Sequence, residues 1–233
     1  MRHDLLLSSG FLAFARQCGF LAAVEASGLE VDGVFGTSSG ALCGALWAAG
    51  MPATRIAAEL SSKRPITQVR PSLTPWRGLL TMGPMVRRLR DLLPATFAGL
   101  SRPFGAGVRA PDGAPTWLTR GDLPAAVAAS CAMPWVFEAV VVDGTPYQDG
   151  GAVDRLGFDG WRALRGQKAV LIHHVSRTAG TEGAADLAGL PVARSPRSGA
   201  TFLGLGDFAS QVEESREIAE TCIRGIASSG GAS

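Results

Sequence analysis

The stretch that most constrains this chain runs VDGVFGTSSGALCGALWAAG, residues 31–50. It passes without a linker from a short apolar run, residues 31–35, through Gly36-Thr37-Ser38-Ser39-Gly40 into a helical run over 39–50, closed by Gly50 and Pro52. A strand that turns straight into a helix is half of a βαβ unit, and that unit demands a parallel sheet. Gly40, Gly44 and Ala48 lie four residues apart, on one helix face, and let that helix approach its neighbours closely.

The flanking sequence repeats the alternation. Residues 4–8 read as a buried strand. Residues 11–27 carry Phe11, Phe14, Ala15, Cys18, Leu21, Ala22 and Glu25 at three- and four-residue steps, with Gly28 at the C-cap. Residues 53–62 make a further short helix. The run VVVDGTPYQDGG reads as strand, turn and strand. KAVLIHHV, residues 168–175, is a near-continuous apolar strand of the kind covered on both faces, and 207–226 form a closing helix. This order predicts a three-layer α/β/α fold around a largely parallel sheet. A length of 233 residues with 46% hydrophobic and 18% charged residues predicts one domain over 1–228 and a flexible Gly/Ser tail over 229–233.

A formal charge of +2 gives no bulk attraction to nucleic acid. Cys18, Cys43, Cys131 and Cys222 are scattered, with no CxxC pair, so the expectation is free thiols and no metal site. No glycine-lysine phosphate loop is present, and no cofactor is expected. The apolar run at the start is three leucines, too short for a signal peptide, and no run reaches the ~20 apolar residues of a spanning helix. These features predict a cytoplasmic protein.

Gly36-Thr37-Ser38-Ser39-Gly40 is a G-x-S-x-G sequence. At a sharp strand-to-helix turn the central serine is strained and its hydroxyl stands clear of the sheet, while glycines on either side avoid Cβ collisions. The following helix N-terminus favours developing negative charge. Ser38 is thus the candidate nucleophile; Ser39, in the frame S-S-G, is its rival. A serine needs a base. His3 lies near the start, and adjacent His173 and His174 face opposite sides of a strand. A triad of Ser38, Asp149 and one of these histidines is one reading. Both lie inside an apolar run, which suits core or supporting histidines better. Asp149 stands just past a strand and before Gly150-Gly151, which leave its carboxylate uncrowded and admit another backbone. Burial would raise its pKa from the ordinary ~3.9 toward that of a useful base. Asp154 and Asp143 are the rival carboxylates; Asp143 sits in VDGTP, a hairpin turn.

Four segments together resemble the patatin-like phospholipases, in that family's order. LLLSSGFLAFARQCGFLAAVE resembles the oxyanion loop and first helix. VFGTSSGALCGALWAAG resembles the nucleophile turn. TRGDLPAAVAASCAMPWVFEAV carries Ser130, Ala132, Pro134 and Phe137 in the family's Ser-x-Ala-x-Pro-x-x-Phe. YQDGGAVDRLGFD resembles its Asp-Gly-Gly motif. The resemblance implies a serine acyl hydrolase with a Ser38–Asp149 dyad, cleaving carboxylic esters of lipids. The loop departs from the family's Gly-Gly-Gly-x-Arg/Lys-Gly: aligned residues are Ser9, Gly10, Phe11, Leu12, Ala13 and Phe14, so only Gly10 remains and the basic residue is lost. The N–H groups around Ser9, Gly10 and Phe11 are the expected oxyanion donors. A hydrolase-like protein that binds lipid with little turnover is the reading this loop favours. Between residues 69 and 93, Trp76, Leu79, Met82, Met85 and Leu89 alternate with Arg70, Arg77, Arg87, Arg88 and Arg90. That mixture fits a helix covering the sheet and also peripheral contact with anionic lipid.

Overall fold

The structure, a computed structural model, describes residues 2–62, 64–176 and 187–229. The strands are β1 (His3–Leu7), β2 (Val31–Thr37), β3 (Arg70–Pro71), β4 (Leu80–Thr81), β5 (Phe104–Arg109), β6 (Pro115–Leu118), β7 (Val140–Val142), β8 (Thr145–Asp149), β9 (Ala169–Val175) and β10 (Val192–Ser195). The helices are α1 (Phe14–Ser27), α2 (Ser39–Ala48), α3 (Ala53–Ser61), α4 (Gly83–Leu92), α5 (Leu123–Ser130), α6 (Phe158–Arg165) and α7 (Phe208–Ser229). Residues 230–233 of the expected tail lie outside the described residues.

The main sheet runs β10-β9-β1-β2-β5-β8-β7, with β6 also paired to β5. The five strands from β10 to β5 are parallel; β6 and β8 join β5 antiparallel, and β7 returns on β8. Alternation along each strand makes the layers. Leu5, Leu7 and Val34 point into the larger core with residues of α1, α2, α5 and α7. Leu6, Phe35 and Ile172 point the other way, against Phe158 and Trp161 of α6. The α/β/α arrangement read from the sequence is the one found.

Small residues set the closest approaches. A Cβ on Gly40 would stand 2.2 Å from the Leu7 carbonyl oxygen, so α2 lies directly on the end of β1. One on Gly19 would stand 2.1 Å from the Val212 carbonyl oxygen, where α1 crosses α7. Helix α1 ends as expected, on Gly28 in the left-handed region at φ 68°. It starts later than its apolar spacing predicts, at Phe14 and not at residue 11. Residues 10–13 form a turn, closed by the Ala13 N–H on the Gly10 carbonyl at 3.3 Å, with Leu12 at φ 48°. Phe11 is consequently outside the helix, 47% exposed, with its ring edge-on to Phe202.

The Arg-rich middle stretch divides. Pro71, Pro75 and Gly78 prevent a helix over its first half, which forms the β3–β4 hairpin, and α4 begins only at Gly83. The hairpin is stitched to residues 136–138: the Leu80 N–H donates to the Val136 carbonyl and the Glu138 N–H to the Leu80 carbonyl, both at 2.9 Å. The Ser72 and Thr74 hydroxyls donate to the Glu138 carboxylate and hold its pKa below the usual range. No helix among the described residues is long and apolar enough to cross a membrane.

Candidate active site

Strand β2 ends at the carboxyl edge of the parallel strands, where open α/β sheets place their sites. Ser38 follows it immediately, at φ 55° and ψ −120°, and caps α2. Both flanking glycines are forced by contact rather than by a positive φ. A Cβ on Gly36 would lie 2.3 Å from the Gly40 carbonyl oxygen, so the two arms of the turn touch. Ser38 is half-buried and lines a cleft of about 1290 Å³. Ser39 borders the same cleft, but it is 2% exposed and its buried Oγ has no hydrogen-bond partner among the described residues.

Asp149 ends β8 opposite Val108 of β5 and is 4% exposed. Its Oδ1 accepts the Gly151 N–H at 2.7 Å, and its own N–H donates to the Ala132 carbonyl at 2.8 Å. Gly150 and Gly151 are close-packed. A Cβ on Gly150 would stand 2.6 Å from the Gly107 carbonyl oxygen, and one on Gly151 would stand 2.7 Å from the Ser9 hydroxyl. Asp149 lines the same cleft as Ser38. Asp143 is on the β7–β8 turn at φ 46°, the hairpin position its sequence predicts, and Asp154 is occupied with the N–H groups of Leu156 and Gly157. Neither borders the cleft.

One segment ties the two arms together. The Ser130 hydroxyl accepts the Ser38 N–H at 2.9 Å and donates to the Gly107 carbonyl at 2.6 Å, one residue from the strand position paired with Asp149. Two residues on, the Ala132 carbonyl holds Asp149 itself. Between them, the Cys131 thiol donates to the Ser38 carbonyl at 3.3 Å. Burial, together with the Asp149 charge, pushes that thiol well above its usual range. In the sequence Cys131 is one scattered thiol among four; its place between Ser38 and Asp149 follows from Ser130 and Ala132 on either side.

The loop after β1 behaves differently from its expected role at one residue. Ser9, Gly10 and Phe11 all border the cleft, but the Ser9 N–H donates to the Arg155 carbonyl at 2.8 Å and is not open to a ligand. The N–H groups of Gly10 and Phe11 have no acceptor among the described residues. The one positive φ in this loop is at Leu12.

Among the described residues no histidine borders the cleft. His173 is fully buried, stacked on Phe20 at 4.6 Å, with Nδ1 against the Gln17 amide oxygen at 2.7 Å and Nε2 against the Ser195 hydroxyl at 2.9 Å. Burial first, then the charges of His174 and Arg16, push its pKa down to about 3. Because the Gln17 amide donates to the Ser8 carbonyl at 2.9 Å, its oxygen accepts, which assigns the proton to Nδ1. His173 is thus a neutral supporting group behind the loop that reaches Ser9.

A family model described as patatin-like phospholipase matches residues 5–160. Uncharacterised NTE family proteins of Mycobacterium tuberculosis and Mycobacterium bovis are 31% identical over 159 residues, 66% of this chain and 44% of theirs. The chain therefore spans less than half the length of the curated relatives it matches. Among solved structures, VipD from Legionella pneumophila gives a TM-score of 0.59 at 12% identity, over 96% of this chain and 67% of that one. Full-length ExoU of the Pseudomonas aeruginosa type III secretion system, in complex with SpcU, gives 0.57 at 13%, over 96% and 52%. At such identities these likenesses establish the fold.

Proposed function

Since this chain belongs to the patatin-like phospholipase family, we propose that it is a lipid acyl hydrolase of the phospholipase A type in which Ser38 is the nucleophile and Asp149 the base. The observation that carries this reading is the strained Ser38, at φ 55° and ψ −120°, facing the cleft that Asp149 also lines. Backbone strain of this kind costs about 1–3 kcal/mol and persists where the surroundings enforce it, which the Ser130 bridge does.

In the proposed reaction Asp149 takes the Ser38 proton as Oγ bonds the ester carbonyl carbon, and the carbonyl electron pair moves to oxygen. The N–H groups of Gly10 and Phe11 receive that oxyanion. The C–O bond to the alcohol then breaks, and the alcohol leaves with the proton from Asp149. Water, deprotonated by the same carboxylate, hydrolyses the acyl-enzyme. The absence of histidine from the cleft lining favours the dyad over a Ser–Asp–His triad.

The cleft suits an acyl lipid. Leu42, Met82, Met85 and Leu89 supply apolar wall, and Arg77, Arg109 and Arg197 supply positive charge. At its mouth Trp76 is 80% and Trp135 91% exposed, and Trp135 is held at φ 70°. Exposed tryptophans beside arginine fit peripheral contact with an anionic membrane from the cytoplasmic side.

A second reading, lipid binding with little turnover, draws on Leu12 at φ 48° and the occupied Ser9 N–H, which leave the loop short of one donor. Fluorophosphonate labelling of purified protein separates the two. Labelling at Ser38, lost in Ser38→Ala and reduced at least ~10²-fold in Asp149→Asn, supports the hydrolase; a folded wild type that stays unlabelled favours the binding protein.

A further inference from the structure

The loop after β1 holds no cation of its own, yet a cation is built against it. Arg155, 7% exposed, comes from the segment after Asp149-Gly150-Gly151 and grips Ser9 on both of its peptide groups. The Arg155 carbonyl accepts the Ser9 N–H at 2.8 Å. Its Nη2 donates to the Ser9 carbonyl at 2.8 Å and to the Val175 carbonyl at 2.6 Å, and its Nε donates to the Ser9 hydroxyl at 3.2 Å.

The Ser9 carbonyl and the Gly10 N–H are the two ends of one planar peptide. A charged donor on the carbonyl end fixes the rotation of that plane and draws electron density from the N–H end, which strengthens it as a donor. The Gly10 N–H has no acceptor among the described residues, and Gly10 borders the cleft with Ser38 and Asp149. The path of the chain up to Ser8 is fixed independently. The Gln17 amide donates to the Ser8 carbonyl, the Ser8 N–H donates to the His173 carbonyl at 3.0 Å, and the Val175 N–H donates to the Ser8 hydroxyl at 2.9 Å. The Ser8 hydroxyl reaches the Ser9 carbonyl only at 3.4 Å, against 2.8 Å for Arg155, so what Arg155 adds is the close, charged donor that sets the next peptide.

We infer that Arg155 is the positioning residue of the oxyanion hole: its guanidinium orients and polarises the Ser9–Gly10 peptide so that the Gly10 N–H meets the charge developing on the substrate oxygen. This rests on the hydrolase reading above. The oxyanion is absent from the bound substrate and forms only in the tetrahedral intermediate and the transition states that flank it, so Arg155 acts on kcat and leaves KM nearly unchanged. The planar fork reaches two carbonyls and a hydroxyl together; a lysine ammonium keeps the charge without that geometry.

The test compares wild type, Arg155→Lys and Arg155→Gln on a soluble p-nitrophenyl ester and with an alkyl trifluoromethyl ketone. Ser38 Oγ adds to the ketone carbon of that inhibitor, its proton passing to Asp149 and the carbonyl pair to oxygen, which fills the oxyanion hole. The expected result for Arg155→Gln is a kcat lowered about 10–10²-fold with KM within about threefold, and an inhibitor affinity weakened by the same factor as kcat. Arg155→Lys falls between. Thermal melting identifies a variant that fails to fold; the comparison then rests on Arg155→Lys. Folded variants with wild-type kcat and inhibitor affinity, or a loss confined to KM, overturn the inference while leaving the hydrolase reading in place. A wild type that neither cleaves the ester nor reacts with a fluorophosphonate overturns both.

Discussion

Ser38 occupies a conformation its own side chain disfavours, and the residues that hold it there are within reach of substitution. Gly36 and Gly40 admit no Cβ without striking backbone at 2.3 and 2.2 Å. Alanine at Gly40 forces α2 away from β1, alanine at Gly36 forces the two arms of the turn apart, and either is expected to destabilise the protein by about 1–3 kcal/mol, measured by urea denaturation. Ser130→Ala removes one hydroxyl that satisfies both the Ser38 N–H and the Gly107 carbonyl. Its expected cost is also about 1–3 kcal/mol, and it releases the Ser38 turn, so on the proposed reading the fluorophosphonate labelling rate should fall more steeply than stability alone explains. Gly36 is legible because its neighbour is local, the turn closing on Gly40 within five residues, whereas the approach of Gly40 to Leu7 is made only by the packing of α2 on β1. The state of the Ser9 N–H is not legible either, because its acceptor, Arg155, is far along the chain.

At the scale of elements, the unexpected piece is the β3–β4 hairpin. A composition of arginines and large apolar residues cannot by itself distinguish a covering helix from a ribbon docked by its edge. Prolines decide the first half against a helix, and the bonds from Leu80 and Glu138 decide where the ribbon lies. That docking brings Trp76 beside the segment carrying Trp135, both on the cleft lining. Replacing both with serine is expected to lower partitioning onto phosphatidylglycerol vesicles by at least about tenfold in a sedimentation assay. Because both side chains are exposed, Tm should hold within a few degrees. The start of α1 was misplaced for a related reason. Phe11 keeps the helical spacing, but the Gly10–Ala13 turn takes the chain out of register before Phe14.

For the whole molecule, the buried His173 makes stability depend on pH. Its imidazole is neutral in the fold down to about pH 3, while in the unfolded chain it takes up a proton near its ordinary 6.5. Between those values the unfolded state binds the extra proton, so stability falls as pH is lowered through that window, by at most about 1.4 kcal/mol per pH unit. Above pH 6.5 the contribution is flat. His173→Gln is expected to flatten this part of the acid limb in denaturation curves taken from pH 7 to pH 4. Hydrolysis above pH 7 should persist in His173→Gln if the dyad operates and vanish if a triad built on His173 does.

The sequence by itself determined the layered α/β fold, the strand-to-helix turn at Ser38, and the Asp-Gly-Gly that closes β8. Each is a short-range matter: periodicity settles which face a residue presents, and steric exclusion settles where glycine must stand. The tertiary structure decided what surrounds those residues. It bridged Ser38 through Ser130 to β5, the strand paired with Asp149, and set Cys131 next to that bridge. It committed the Ser9 N–H to Arg155 and buried His173 behind the loop. These partners lie scores of residues apart in sequence, and hydrogen-bond complementarity at that range leaves no periodic trace; it exists only once β1, β5, β8 and β9 are packed side by side.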